Sequence, residues 1–210
     1  MMMNITEALN WRYAVRKFTT ERIGDDRVNE LLTATRLSAS SYGLQPWRMV
    51  VVNDIDTRKR LYEYAMGQDK VVNCSHLVVL AAQTDIGDAM VDRYMDALTQ
   101  VRDLPADVLD SISAHMKDVI GNMSEQRRRE WAHEQVYIAL GTLLTAAAVM
   151  KIDTCPMTGF ESEGFDSVLE LHKRSLESSV ICALGVRDPE DENAFLPKVR
   201  YGHAEMVLTV

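Results

Sequence analysis

Cysteine is scarce in this 210-residue chain: Cys74, Cys155 and Cys182 lie far apart, with no CxxC pair. So odd and scattered a set offers no disulfide framework and fits free thiols in a reducing compartment, so the cytoplasm is the expected location. The five histidines, His76, His115, His133, His172 and His203, form no HxxxH or HExxH pair, and none stands beside a cysteine at ligand spacing. No metal site is expected. GxSxG, GxxxxGK[ST] and GxGxxG are all missing, which removes the common hydrolase, NTPase and Rossmann signatures. The most apolar run, Tyr137 to Met150, is shorter than the ~20 residues of a membrane-spanning helix and reads as a buried core helix. The opening MMMNITEALN lacks the basic lead and apolar core of an export signal. Positive charge is also in deficit, 23 Lys and Arg against 31 Asp and Glu, for a net charge of -8. A surface of that sign does not attract nucleic acid or anionic lipid, so any anion site must be local.

With 47% hydrophobic and 26% charged residues, the chain has the make-up of a folded protein with a sizeable core. No linker or shift in composition divides it, and it reads as one domain over residues 1–210. The spacing of Val28, Leu31, Leu32 and Thr35 predicts a helix with Asp25 or Asp26 as N-cap. A buried strand over Arg48 to Asn53, a charged helix capped by Asp54 and a second strand over His76 to Thr84 follow. Residues 87–123 read as a helical insertion, from the spacing of Val91, Tyr94, Met95 and Leu98 and then of Leu109, Ile112, Met116 and Val119. Ser124 opens the longest helix, charged at first and then nearly uniformly apolar. Next come a turn-rich segment DTCPMTGFESEGFD, a brief helix SVLELHKR, a strand over Ser178 to Arg187, an acidic loop DPEDEN and a tail ending in EMVLTV. The strand-like tail needs an edge to pair with, in this chain or in a neighbour.

Against the acidic background, RYAVRKF sets Arg12, Arg16 and Lys17 within seven residues. Lys70 precedes the second strand, and Lys198 and Arg200 stand two apart, facing the same way if the backbone is extended. Such a pair suits a phosphate, although each segment taken alone is more simply a group of solvated cations. SASSYGLQPW, Ser38 to Trp47, ends a helix in small hydroxyl residues, turns at Gly43 and leaves room for a flat ligand; locally it is a connector, as CPMTGF is a turn. Cys74 and Cys155 read as small, semi-buried residues and not as nucleophiles. EQRRRE brackets its arginines with acids and reads as a paired, solvated helix face, not as a nucleic-acid site.

In their order and spacing, RYAVRKF, SSYGLQPWRMVVV, HLVVLAA, EQVYIALGTLLTAAAVMKID, CPMTGF, VICALGVR and LPKVR resemble the flavin-dependent nitroreductases of the oxygen-insensitive bacterial type, nearly end to end. The resemblance implies an α+β fold, with a mixed, largely antiparallel sheet between helices. It also implies an intertwined homodimer whose C-terminal strand crosses to the partner, and FMN at the subunit interface. Arg12, Lys198 and Arg200 would hold the phosphate. Arg16 and Lys70 would face the pyrimidine side of the ring, where reduction places negative charge and a cation raises the potential. Tyr13 stands where His is common and Ala14 where Ser can occur, both beside the cofactor, as is Gln68. Ala39, Ser40, Ser41 and Gly43 would come from the other subunit, with Gln45 a further candidate. Pro156, Met157, Thr158 and Gly159 would cover one ring face, with a backbone N–H at Thr158 or Gly159 for flavin N5. Relatives can carry Lys at the position of Arg16 and Glu at that of Thr158, so ring potential and substrate contacts are where this chain departs.

The implied activity is a ping-pong transfer from NADH or NADPH through FMN to nitroaromatic or quinone-type acceptors, with no catalytic side chain. The same scaffold also supports dehalogenation, flavin fragmentation and enoate or pterin reduction, with the 87–123 insertion lining the substrate channel. A non-catalytic flavin-binding or storage protein, or a dimer that uses its cleft for another anion, is the other reading. Lys17, opposite Arg16 on an extended backbone, is expected to be a solvated surface cation.

Overall fold

The computed structural model describes residues 4–210. Asn4 caps α1 (Ile5–Trp11) in a reciprocal box with Glu7, and the chain then runs extended from Arg12. α2 spans Asp25–Arg36, with Gly24 as its N-cap; Asp25 and Asp26 lie instead in the first turn, where they complement the helix dipole. β1 (Trp47–Val52) precedes α3 (Ile55–Tyr62), whose Asp54 cap accepts from the Thr57 amide as expected. α4 (Lys70–Asn73) leads into β2 (His76–Gln83). The 87–123 stretch forms α5 (Asp88–Val101) and α6 (Ala106–Gly121), and Ser124 caps α7 (Glu125–Val149).

The part of the chain read as turn-rich departs most. It holds β3 (Asp153–Met157) and α8 (Ser162–Val168), and the SVLELHKR helix is replaced by the end of α8 and a short 3-10 turn over Leu171–Arg174. Left-handed Glu170 and Ser175 bound that turn and prevent a continuous helix. β4 (Leu176–Gly185) starts and ends two residues earlier than expected. In the tail, α9 (His203–Met206) takes up Glu205 and Met206, and Val207 to Val210 form no strand within this chain. An extended segment without a neighbouring edge has no partner for its backbone groups.

The four strands pair antiparallel in the order β1-β2-β4-β3, with a single parallel bridge, Ala14 to Thr154, beside them. On one face the apolar half of α7 packs with α2, α5 and α6 over Val78, Leu80, Val180 and Cys182. On the other, α3, α4 and α8 cover Leu77, Val79, Ile181 and Ala183. β2 is therefore buried along both faces, which explains its unbroken apolar sequence. Pro156 is tolerated because β3 is an edge strand. A bulge interrupts β4: Leu80 pairs with Val180 and Ala81 with Ser178, leaving Ser179 unpaired. Ser179 and Val180 thus both turn toward α7, and the Ser179 hydroxyl meets His133 Nδ1 at 2.7 Å while Glu177 Oε1 meets Nε2 at 2.8 Å. Two of the three EQRRRE arginines are ion-paired, Arg127 with Glu134 and Arg129 with Glu177, while Arg128 donates to the carbonyls of Met123, Ile86 and Gly121.

His76 ties the start of β2 to the entry of α2. The Ser75 hydroxyl accepts from the Ile23 amide at 2.8 Å and meets His76 Nδ1 at 2.9 Å. On the other side of the ring, Nε2 faces Asp25 Oδ1 and Arg22 Nη2, each at 3.4 Å. Burial, then the charge of Arg22, lowers its pKa, outweighing Asp25. A lowered folded-state pKa means that the unfolded chain binds the proton first as pH falls, so stability is full above the ordinary value of ~6.5 and declines below it. Urea midpoints should accordingly fall between pH 7 and pH 5, and His76→Gln should flatten that slope.

Candidate functional site

The basic segment lies along the outer side of β3, held at several points. Val15 N–H donates to the Thr154 carbonyl at 3.1 Å, and Thr19 N–H to that of Val186 at 2.9 Å. The Phe18 ring rests on Gly185, where a Cβ would fall 2.5 Å from Phe18 Cδ1, so only glycine admits it. Near the start of the segment the Arg187 guanidinium stacks on Trp11 (4.2 Å) and Tyr13 (4.7 Å), with Nε of Arg187 donating to Asp153 Oδ1 at 2.8 Å.

This frame places Arg12, Tyr13, Ala14 and Arg16 with Lys198 and Arg200 around one cavity of about 360 Å3. The Lys198 ammonium donates to the carbonyls of Leu9 and Arg12, and so fastens the tail to the end of α1. Burial, then Arg12 and Arg200, lowers the Lys198 pKa; burial, then Arg200, lowers that of Arg12. Arg12 Nε is buried with no hydrogen-bond partner. Three mutually repelling cations and an orphaned guanidinium N–H form a site with charge and donors to spare, fitted to a compact dianion.

Arg16 also lines a neighbouring cavity of about 770 Å3 with Lys70. Cys155 of β3 is close enough to feel both, its thiol pushed up by burial against the opposing influence of Lys70 and Arg16. Gln68 Nε2 donates to the Gly159 carbonyl at 2.6 Å, tying α4's approach to the turn after β3. Thr158 and Gly159 are exposed there, Pro156 is half-buried, and the Met157 side chain is in the core, so Met157 can offer a ligand only its backbone.

Ala39, Ser40, Ser41 and Gly43 do not join these residues. Ser41 N–H donates to Gln135 Oε1 of α7 at 2.8 Å, Ser40 Oγ accepts from Gln45 N–H, and the insertion covers the turn through Tyr94 on Gly43 and His115 on Tyr42. Tyr42, Gly43 and Gln45 all adopt positive φ, of which two are non-glycine and therefore strained.

Lys17 is an exposed surface cation, as expected, and pairs with Glu190 (2.8 Å) and Asp188 (3.2 Å) of the acidic loop. That loop contributes what the sequence did not single out. Asp191 accepts from Tyr13, from the amides of Arg16 and Lys17, and from Asn193. Burial opposes its charge, yet these hydrogen bonds, from Asn193 and the two amides first, hold its carboxyl down to about 2. Arg187 and Asp153 were likewise unmarked, and only the alternation of basic arm and acidic loop hinted at a contact. Among the described residues no group of three or more His, Cys, Asp or Glu is placed to hold a metal, and no helix is long and apolar enough to cross a membrane.

Residues 9–186 match the model of the Nitroreductase family. A protein of Bacillus subtilis (strain 168) named for NAD(P)H nitroreductase activity, YfkO, is 34% identical over 218 residues, covering 97% of this chain and 96% of its own. The crystal structure of ydfN from Bacillus subtilis, described as a nitroreductase, superposes with a TM-score of 0.88 at 24% identity, over 98% of both chains. A nitroreductase-like structure from Exiguobacterium sibiricum, in complex with FMN, gives 0.86 at 18% identity, over 99% of this chain and 98% of its own.

Proposed function

As this chain belongs to the nitroreductase family, we propose that it is an FMN-dependent oxidoreductase that takes reducing equivalents from NADH or NADPH and delivers them to nitroaromatic or quinone-type acceptors. The observation that carries the reading is the Arg12 cavity, with a buried, unpartnered Nε among three cations in an acidic protein. A flavin phosphate brings nearly two negative charges and acceptors on every side.

When bound, FMN supplies the two-electron transfer between reductant and acceptor. The chain's own residues bind and orient. Arg12, Lys198 and Arg200 hold the phosphate, and Tyr13 and Ala14 flank it. Arg16 and Lys70 offset the negative charge that reduction places on the pyrimidine side of the ring. The turn Pro156–Gly159, braced by Gln68, presents backbone N–H groups to the ring edge. No side chain need move a proton in this cycle.

The functional unit is a homodimer, with the whole chain acting as a single domain. β1 is the open edge of the sheet, whereas β3 is flanked by the basic arm and interrupted by Pro156. Leu208 and Val207 lie exposed on a tail with no strand of its own to join. Exchange of tails would bury both, and would bring Ala39, Ser40, Ser41 and Gly43 of one copy to the cations of the other. The strained turn at Tyr42 and the α5–α6 cover over it suit an acceptor channel at that junction. Three unpaired thiols fit the cytoplasm.

Purified protein should be yellow and should bleach on anaerobic addition of NADH or NADPH, then recolour with a nitroaromatic or a quinone. A colourless protein without affinity for FMN would sink the reading; a yellow one that neither cofactor bleaches would indicate flavin binding without reductase activity. Arg16→Ala and Lys70→Ala should each lower the flavin midpoint potential by about 30 mV or more, equivalent to ~1.4 kcal/mol for a two-electron couple. Retention of FMN should change little in both, since the phosphate cations remain. Potentiometric titration with gel filtration checks the two together.

A further inference from the structure

Beyond Asp191 no residue of the chain is buried. Lys198 and Arg200 therefore ride on a segment with no core of its own, yet they stand in register with Arg12 across the cavity. Asp191 itself is 3% exposed. Its Oδ2 accepts from the Tyr13 hydroxyl at 3.0 Å, the Arg16 amide at 2.7 Å and the Lys17 amide at 3.2 Å. Its Oδ1 accepts from the amide and side chain of Asn193, at 3.1 Å and 3.0 Å. One oxygen thus serves the basic arm and the other the first turn of the tail. All five partners are donors, so only an ionised carboxylate satisfies both groups; an asparagine would turn an NH2 group toward one of them. Asp191 is not among the residues that line the cavity, whereas Arg12, Tyr13, Arg16 and Asn193 are.

We propose that Asp191 is a positioning residue for phosphate recognition, clamping the Arg12–Lys17 arm to the root of the tail and so fixing the spacing of Arg12 from Lys198 and Arg200. The inference rests on the FMN reading above and adds to it a residue that touches neither the cavity nor the ligand. Asp191 also holds the Arg16 amide, but retention of the flavin depends little on Arg16, and the Pro156–Gly159 turn at the ring is held independently, by β4 and by Gln68, so the larger effect on affinity falls on the phosphate.

Riboflavin, which has the same ring and no phosphate, separates the two contributions. Dissociation constants of FMN and of riboflavin are measured by flavin fluorescence on the full-length apoprotein, for wild type and Asp191→Asn. The variant should bind FMN about tenfold more weakly and riboflavin within about twofold of wild type. Asp191→Glu, which restores the charge, should recover part of the preference. Should Asp191→Asn not fold, Tyr13→Phe and Asn193→Ala remove one donor from each side of the clamp and should each lower the FMN-to-riboflavin affinity ratio about threefold. A merely structural role would weaken both flavins alike and leave the ratio unchanged, which would overturn the inference. Wild-type protein that shows no preference for FMN over riboflavin would instead remove the cofactor reading, and this inference with it.

Discussion

Arg12→Ala should raise the dissociation constant for FMN about a hundredfold, equivalent to ~2.7 kcal/mol. The guanidinium is the most deeply set of the three cations, and its Nε has no partner within the protein. A hydrogen bond to a charged group contributes ~1.5–3 kcal/mol, and a guanidinium can offer two in parallel to a phosphate. Lys198 and Arg200 remain in the variant, which is why the loss stops short of abolition. The apoprotein should respond in the opposite sense. Without ligand, Arg12 is a partly buried cation facing Arg200, with its affinity for the proton lowered by burial first and by that neighbour second. Its removal relieves both costs, so the melting temperature without FMN should hold or rise while the increment on adding FMN shrinks. Thermal melts with and without FMN, beside a fluorescence titration, test both signs; unchanged FMN affinity in Arg12→Ala would refute the placement of the phosphate.

Asp153→Ala should destabilise the fold by about 2–4 kcal/mol, because removing one member of a buried ion pair strands the other. The Asp153 side chain is 7% exposed and that of Arg187 21%. Oδ1 accepts from Arg187 Nε at 2.8 Å and from Nη2 at 2.5 Å, and Oδ2 accepts from the Arg187 amide at 2.9 Å. The same guanidinium supports Trp11 and Tyr13, so the arm would loosen along with the pair. For a chain of this length ~1 kcal/mol moves the melting temperature by about 2–4 °C, so a fall of roughly 5–15 °C is expected. A shift of under about 2 °C would show the pair to be dispensable.

What could be read from the sequence follows the strength of local signals. The long helix beginning after Ser124 was legible because a capping serine and a change from charged to apolar residues coincide there. β3 and α8 were hidden by Pro156, Gly159 and Gly164, which locally signal turns. Pro156 is allowed by its edge position. Gly164 sits within a helix because the Tyr64 ring occupies the space of a side chain, with a Cβ falling 2.1 Å from its Cδ1. Neither cause is local in sequence. The basic residues of the cavity could be listed from the chain, but their convergence came only from the resemblance and then from the geometry. Asp191 could not be distinguished within DPEDEN, since four acids share that loop and burial alone sets one apart.

The bulge at Ser179 bears on how this strand can change over evolutionary time. On either side of it the ladder keeps its alternation: Val180 faces α7, Ser178 faces away, and both are opposite consecutive residues of β2. An ordinary one-residue deletion in a strand turns every following side chain to the wrong face. Loss of Ser179 would instead close the gap and leave both faces as they are, at the cost of the hydroxyl on His133. β4 thus contains a position at which chain length can vary by one residue while the inside and outside of the sheet stay the same.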